Sequence, residues 1–282
     1  MRTTMTAGAR RVLVATAGSL LALTMVGAGA TTAAASVTPI KLPAKYASGL
    51  RMAMDATYPP DEFVQNGHIV GFDADLGKVL GKVLGVKVTL VDATFDTIIP
   101  GIQDGKFDVG NSSFTDTKAR EKVVDFVDYF KAGEGFYEQA NSTKTFNGLK
   151  SLCGHSVAVE TGTTEQTDAQ SQAKLCKVSV LSYSDQNQVN LAVSDGRAEL
   201  GFADSQVAAY IVHLSDGQFK LTGTPFETAP YGFAVAKGSG LAAPLLAAVK
   251  AIMANGQYKQ ILDKWGVEQG AISNPTLNGA TS

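Results

Sequence analysis

The residues with the clearest chemical potential lie in FDVGNSSFTDTKAR, positions 107–120. A hydrophobic start turns at Gly110 into small hydroxyl residues, Ser112, Ser113 and Thr115, and Arg120 follows. A strand that ends in small hydroxyls and then opens a helix gathers backbone and side-chain polar groups at one point. A guanidinium beside them can hold a carboxylate or phosphate in a planar fork. The same residues, taken alone, also fit a helix cap and a solvated surface charge. A similar arrangement recurs at TGTT (161–164), between a strand over 156–160 and a polar helix over 165–174. The N–H groups at such a helix start favour an anion, and Thr163 or Thr164 would equally serve as its N-cap. A third polar point is Asp204, which ends a short strand after the turn at Gly196.

Other chemistries find no support. There is no phosphate-cradling glycine loop and no Ser/His/acid or Cys/His set. His68, His155 and His213 are scattered without metal-ligand spacing, so neither a metal nor a cofactor is expected. Cys153 and Cys176 are the only cysteines. An isolated pair in an exported chain reads as a disulfide, with two buried thiols as the alternative.

Export is indicated by the first 35 residues. Arg2, Arg10 and Arg11 precede an apolar run over 12–26, and Ala28-Gly29-Ala30 and Ala33-Ala34-Ala35 offer small-residue cleavage sites. This is a general secretory signal peptide, cleaved after Ala35. The run is short for a membrane span, and no cysteine near the cleavage point offers a lipid anchor. Removing the three arginines shifts the formal charge from -2 to -5, with 21 basic and 26 acidic residues left. An acidic chain without a basic block is a poor nucleic-acid binder.

The elements that must position these residues alternate. A strand over 49–55 runs into Thr57, Tyr58, Pro59 and Pro60, a loop suited to a rigid ligand wall. An amphipathic helix carries Leu76, Val79, Leu80 and Val83 and stops at Gly85. A β-branched strand over 86–91, a short helix from Phe95 to near Gly105, and a strand over 107–111 follow. A second α/β unit spans roughly 133–231, with strands over 133–139, 156–160 and 178–183 and helices over 185–194 and 206–213. A strand over 231–236 and helices over 241–255 and 256–265 close the chain, and the Gly/Ser/Asn/Thr/Pro-rich tail reads as disordered. The fold class is α/β with mostly parallel sheets.

Several segments in order carry a resemblance: DATYPP (55–60), GFDADL (71–76), FDTIIPGI (95–102), GKFD (105–108), TKAR (117–120) with Asp125 and Phe126, TGTT (161–164), and NGQY (255–258) through Ile261 to Trp265 and Gly266. Behind a signal peptide, these make the chain resemble the polar amino-acid-binding receptors of bacterial ABC importers, over about 49–266. The resemblance implies a two-lobed periplasmic-binding-protein fold of type II, with two hinge crossings and a ligand held in the cleft. Lobe 1 would comprise 36–132 and 232–270, lobe 2 133–231, and a flexible tail 271–282. The cysteine pair would staple the first strand and helix of lobe 2.

Residue by residue, the resemblance implies Tyr58 and Phe95 as an aromatic wall. The Ser113 carbonyl and Thr115 hydroxyl would take the ligand ammonium, and Arg120 would clamp its carboxylate. The Thr164 N–H, beside Thr163, would complete that carboxylate, and Asp204 would pair with the ammonium. Asp55 and Glu165 lean the ligand toward a basic or amide side chain. Asp55 would also serve as a turn cap, and Gln186 is a further candidate contact. The partners implied are a polar amino acid and the permease of an ABC importer, for a monomer in the periplasm or, in a one-membrane organism, at the cell surface. The alternative on the same fold is an exported cyclohexadienyl dehydratase with Glu165 as proton donor. A third reading is a signalling or adhesion role, in which the closed receptor docks on a membrane sensor.

Overall fold

The computed structural model describes residues 40–281. The signal peptide assigned to residues 1–35 lies outside them. The first half runs β1 (Leu50–Met54), β2 (Thr57–Tyr58), β3 (Glu62–Gln65), β4 (His68–Val70), α1 (Phe72–Leu84), β5 (Val88–Asp92), α2 (Phe95–Gln103) and β6 (Val109–Gly110). Then come β7 (Val124–Gln139), β8 (Ser156–Glu160), α3 (Thr164–Leu175), β9 (Ser179–Tyr183), α4 (Gln186–Ser194), β10 (Leu200–Asp204) and α5 (Ser205–Leu214). The chain closes with β11 (Phe219–Ala236), α6 (Ala242–Ala254) and α7 (Gln257–Trp265).

Local sequence explains the elements. In α1, Phe72, Leu76, Leu80 and Leu84 recur every fourth residue and all are buried. Gly85 ends that helix in the left-handed conformation, φ 69°, with its N–H on the carbonyls of Gly81 and Lys82. In β8, SVAVE is buried on both faces, as a strand flanked by parallel neighbours should be.

The main sheet has the order β5-β1-β6-β11-β7-β10-β8-β9. The β5-β1-β6 and β10-β8-β9 triplets are parallel, one at each end. Between them, β7 and β11 pair antiparallel along both ends. At 16 and 18 residues they are far longer than ordinary strands. Each is the crossing from one lobe to the other. The β11 register shifts twice between Thr222 and Ala229, where it passes between the lobes. Lobe 1 buries Leu76, Leu80, Phe233, Leu245, Val249 and Leu262 under α1, α6 and α7. In lobe 2, Val189, Val193 and Val207 pack beneath α4 and α5, and Val157, Ala169 and Phe202 beneath α3.

Four expectations are corrected. The hydroxyl-rich stretch after β6 does not open an α-helix. Ser113 adopts φ 48°, Thr115 bridges to Tyr231 and the Asp116 N–H donates to the Pro230 carbonyl, so the chain is drawn along β11 and only a 3-10 turn forms at Arg120–Lys122. The 57–70 segment forms a small antiparallel sheet, β2-β3-β4, which the proline-bounded loop did not reveal. The second crossing starts at Phe219, well before the predicted strand at 231. The tail after Gly270 is not loose. Ala271 and Leu277 bridge to Phe130 and Val127, the Thr276 hydroxyl donates to Asp128 at 2.7 Å, and the Phe126 N–H donates to Asn278 at 2.7 Å. Among the strands of the described residues, the lobe 1 half of β7 pairs with β11 alone, and the tail covers its remaining edge.

Cys153 and Cys176 are joined, with their Cα atoms 5.6 Å apart. The bond ties the end of α3 to the 3-10 turn at Leu149–Leu152 ahead of β8.

Candidate functional site

The strand ends of the two lobes face one another across a closed cleft. Its walls are Asp55, Tyr58, Glu62, Phe95, Ser112, Ser113, Thr115 and Arg120 from lobe 1, and Glu160, Thr163, Thr164, Glu165 and Asp204 from lobe 2. All ten residues expected from the sequence line this one space. Ser112, read from the sequence only as one of the hydroxyls after Gly110, joins them, and Glu62 and Glu160 were missed. Gln186 does not reach it: its amide donates to Tyr137 and Asn190, and only its backbone N–H crosses the cleft, to Thr57.

Asp55 follows β1 and is buried. It accepts from the Thr57 hydroxyl at 2.6 Å and from the Phe95 N–H at 3.1 Å, so it caps both the turn and α2. The Ser112 hydroxyl accepts from the Asp55 N–H and donates to Glu62 at 2.7 Å. Ser113 donates its N–H to Asp73 at 2.7 Å and its hydroxyl to Asp61 at 2.9 Å. Its left-handed backbone is a conformation that costs a non-glycine residue about 1–3 kcal/mol, held here by those buried acids. Tyr129 donates to Asp73 in turn.

Arg120 spans the cleft. Its guanidinium donates to the Thr115 carbonyl at 2.8 Å and to the Gly162 carbonyl, from the other lobe, at 2.9 Å. It also lies 5.4 Å from the rings of Phe95 and Phe114, which stack on each other. Two of its five N–H donors are spent on carbonyls, and the fork remains part of the cavity wall. Burial lowers its pKa, with Glu165 and Asp204 opposing the fall.

From lobe 2, Thr163 caps α3 by accepting from the Gln166 N–H at 3.1 Å. The first-turn N–H groups at Thr164 and Glu165 have no partner within the helix. The Thr164 hydroxyl lies 3.4 Å from that of Thr115. Gly162 passes so close to α2 that a Cβ there would sit 2.9 Å from the Asp96 Cβ, so a side chain at 162 would hold the lobes apart. Asp204 ends β10. Tyr58 donates to its carboxylate at 2.9 Å and accepts from its N–H at 2.9 Å. Tyr58 therefore latches the lobes as well as lining the cavity.

Five carboxyl groups and one guanidinium line the space. Burial dominates their protonation. It pushes Glu165 up to about 8, with Asp204 adding to the rise and Arg120 opposing it. It pushes Asp204 up to about 7 against hydrogen bonds from Tyr231 and Tyr58. Asp55 is raised, and Glu160 and Glu62 lie well above the usual carboxylate range, all chiefly through burial. Glu160 and Glu165 each keep one oxygen without a hydrogen bond among the described residues.

Glu160 could have been found in the sequence. It ends a strand beside a helix start, the same signal that singled out Asp204. Glu62 gave no such sign, because it sits on the small sheet that was not foreseen.

The sequence profile of the bacterial extracellular solute-binding proteins, family 3, matches residues 50–268. The arginine-binding protein ArgT of Corynebacterium glutamicum is 32% identical over 229 residues, covering 78% of this chain and 75% of ArgT. The ABC transporter glutamine-binding protein GlnH of Bacillus subtilis is 32% identical over 212 residues, covering 73% of this chain and 76% of GlnH. The crystal structure of the ancestral amino acid-binding protein AncCDT-1, a precursor of cyclohexadienyl dehydratase, superposes with a TM-score of 0.72 at 34% identity, covering 78% of this chain and 96% of that one. Two lobes, a cleft between the strand ends and a profile match over most of the chain agree: the protein belongs to family 3 of the bacterial extracellular solute-binding proteins.

Proposed function

We propose that this receptor captures a polar L-amino acid between its lobes and hands it to the permease of an ABC importer outside the cytoplasmic membrane. The observation that carries this reading is the pair of opposite charges in one closed cavity, Arg120 from lobe 1 and Asp204 from lobe 2. A zwitterion leaving water needs a counter-charge at each end. Arg120, helped by the first-turn N–H groups of α3, takes the α-carboxylate. Asp204, with the hydroxyl of Thr115 and the carbonyl of Ser113, takes the α-ammonium. Tyr58 and Phe95 flank the side chain. Because the two charges come from different lobes, the ligand stabilises the closed form over the open one, and closure is the signal for the permease.

Calorimetry with a panel of free L-amino acids tests this. One of them binds with 1:1 stoichiometry and raises the melting temperature. Loss of that stabilisation in Arg120→Ala supports the clamp, and unchanged binding refutes it.

One observation favours a second reading, a dehydratase acting on a cyclohexadienyl acid. Glu165, raised to about 8, holds its proton near neutral pH, as a proton donor must. Incubation with such an acid and an absorbance search for aromatic product separates the two readings.

A further inference from the structure

The turn from β2 into β3 lies against lobe 2 at four points. The Thr57 hydroxyl accepts from the Gln186 N–H at 3.2 Å, Tyr58 is bonded to Asp204, Asp61 accepts from the Gln206 side chain at 2.8 Å, and the Phe63 ring lies 6.4 Å from that of Tyr210. The third point is a buried polar pair set apart from the ligand. Asp61 is fully buried and Gln206, in the first turn of α5, is 7% exposed, yet neither lines the ligand cavity. The Gln206 amide nitrogen donates a second bond, at 2.9 Å, to the hydroxyl of Tyr231, which packs in the lobe 1 core. One side chain of lobe 2 is thus bonded to two residues of lobe 1. Asp61 also accepts from the Ser113 hydroxyl at 2.9 Å, so the contact adjoins the loop that lines the cavity without entering it. Burial, with Asp73 adding to it, pushes the Asp61 carboxyl up to about 7. Below that pH it meets the amide uncharged, and an uncharged, hydrogen-bonded pair costs far less to bury than a lone carboxylate.

We propose that Asp61 and Gln206 form an inter-lobe latch, a pair of positioning residues that sets how readily the lobes close, and so how tightly every ligand is held, without reading which ligand it is. The proposal takes its ligands from the amino-acid reading above and concerns closure rather than recognition. Parting the lobes separates Gln206 from Asp61 and Tyr231, and closing them restores both bonds whatever occupies the cavity. The apparent dissociation constant is the intrinsic one divided by the fraction of protein that is competent to bind. A contact that exists in the closed form and touches no ligand therefore scales all affinities by one factor. Residues that face the ligand side chain, in contrast, change the ratio between ligands.

The test is titration calorimetry of the full mature chain at about pH 6, below the raised Asp61 value, with a panel of free L-amino acids. Wild type, Gln206→Ala, Asp61→Ala and the double variant are compared, beside small-angle scattering of each without ligand. Gln206→Ala weakens every amino acid that binds by the same factor, at least about 5-fold, the scale of one buried hydrogen bond. The empty variant has a larger radius of gyration than the empty wild type. The double variant binds within about 3-fold of the weaker single one, because the two side chains act as one contact. Gln206→Ala decides the matter by itself should Asp61→Ala fail to fold. Unchanged affinity in folded Gln206→Ala, a changed ratio between ligands, or losses that multiply in the double variant overturn the latch and leave the amino-acid reading standing. Failure of wild type to bind any amino acid removes that reading instead. The scattering comparison then decides the latch, and equal radii of gyration overturn it.

Discussion

The two faces of the cleft are built differently. On the lobe 1 face, Asp55, Glu62 and Asp73 are tied to Thr57, Phe95, Ser112, Ser113 and Tyr129 through bonds within that lobe. On the lobe 2 face, Glu160 and Glu165 each keep an oxygen without a partner among the described residues, and Asp204 is bonded to Tyr58 across the cleft. The lobe 1 carboxylates are held within their own lobe, while those of lobe 2 are bonded across the cleft or left with a free oxygen among the described residues. An asymmetric cleft of this kind can hold a ligand on lobe 1 and make lobe 2 the reporter of occupancy. That is the thermodynamic requirement for a receptor whose closed form must mean "loaded".

Variants on the two sides test that contrast. The largest effect is expected for Arg120→Ala, because truncating one partner of a buried charge pair typically costs about 2–5 kcal/mol. Affinity should fall by more than about 30-fold in calorimetry, a loss that size of pair energy implies. Next is Cys153→Ser with Cys176→Ser, which frees the lead into β8 from the end of α3. Denaturant unfolding should show a loss of about 3 kcal/mol. Ligand affinity should change far less, since neither cysteine lines the cavity. Smaller still is Tyr58→Phe, which removes one cross-cleft hydroxyl worth about 1 kcal/mol. It should reduce the closed population of the empty protein seen by small-angle scattering, with the lobe 1 face intact.

Acidity supplies a fourth check. Asp73 is raised to about 6, Asp61 and Asp204 to about 7, and Glu165 to about 8, each mainly by burial. A carboxyl group raised in the folded protein binds its proton more tightly there than when unfolded. These groups therefore favour the folded, closed form at low pH. Their contribution weakens as pH rises from the ordinary carboxylate range and is spent above about 8. The melting temperature of the ligand-free protein should fall between pH 5 and 8.

Much of the site was legible because its chemistry sits at strand ends, where punctuation is strong. Arg120, Thr163 and Asp204 each follow a strand and a run of small or polar residues, and the resemblance then assigned their roles. The helix α1 was readable from apolar spacing and Gly85. What escaped were features made by distant pairing. The β2-β3-β4 sheet depends on Phe63 meeting Val70 and Thr57 meeting Phe63, which no local period shows. With that sheet went Glu62, whose burial rests on Ser112, 50 residues away. The tail was misjudged because its polar composition says nothing of the free edge of β7 that it covers. Glu160 was readable by the rule used for Asp204. It passed unnoticed because, in a strand as apolar as SVAVE, a terminal acid looks like the boundary of the strand.

The most direct test of the central claim is calorimetric binding of the best free L-amino acid beside its α-amide and its N-acetyl derivative. The account predicts tight 1:1 binding of the free amino acid, with each derivative weakened by at least about 100-fold because Arg120 or Asp204 is left as an uncompensated buried charge. Derivatives that bind as tightly as the parent would contradict it, for the two lobes would then not be clamping the two ends of a zwitterion.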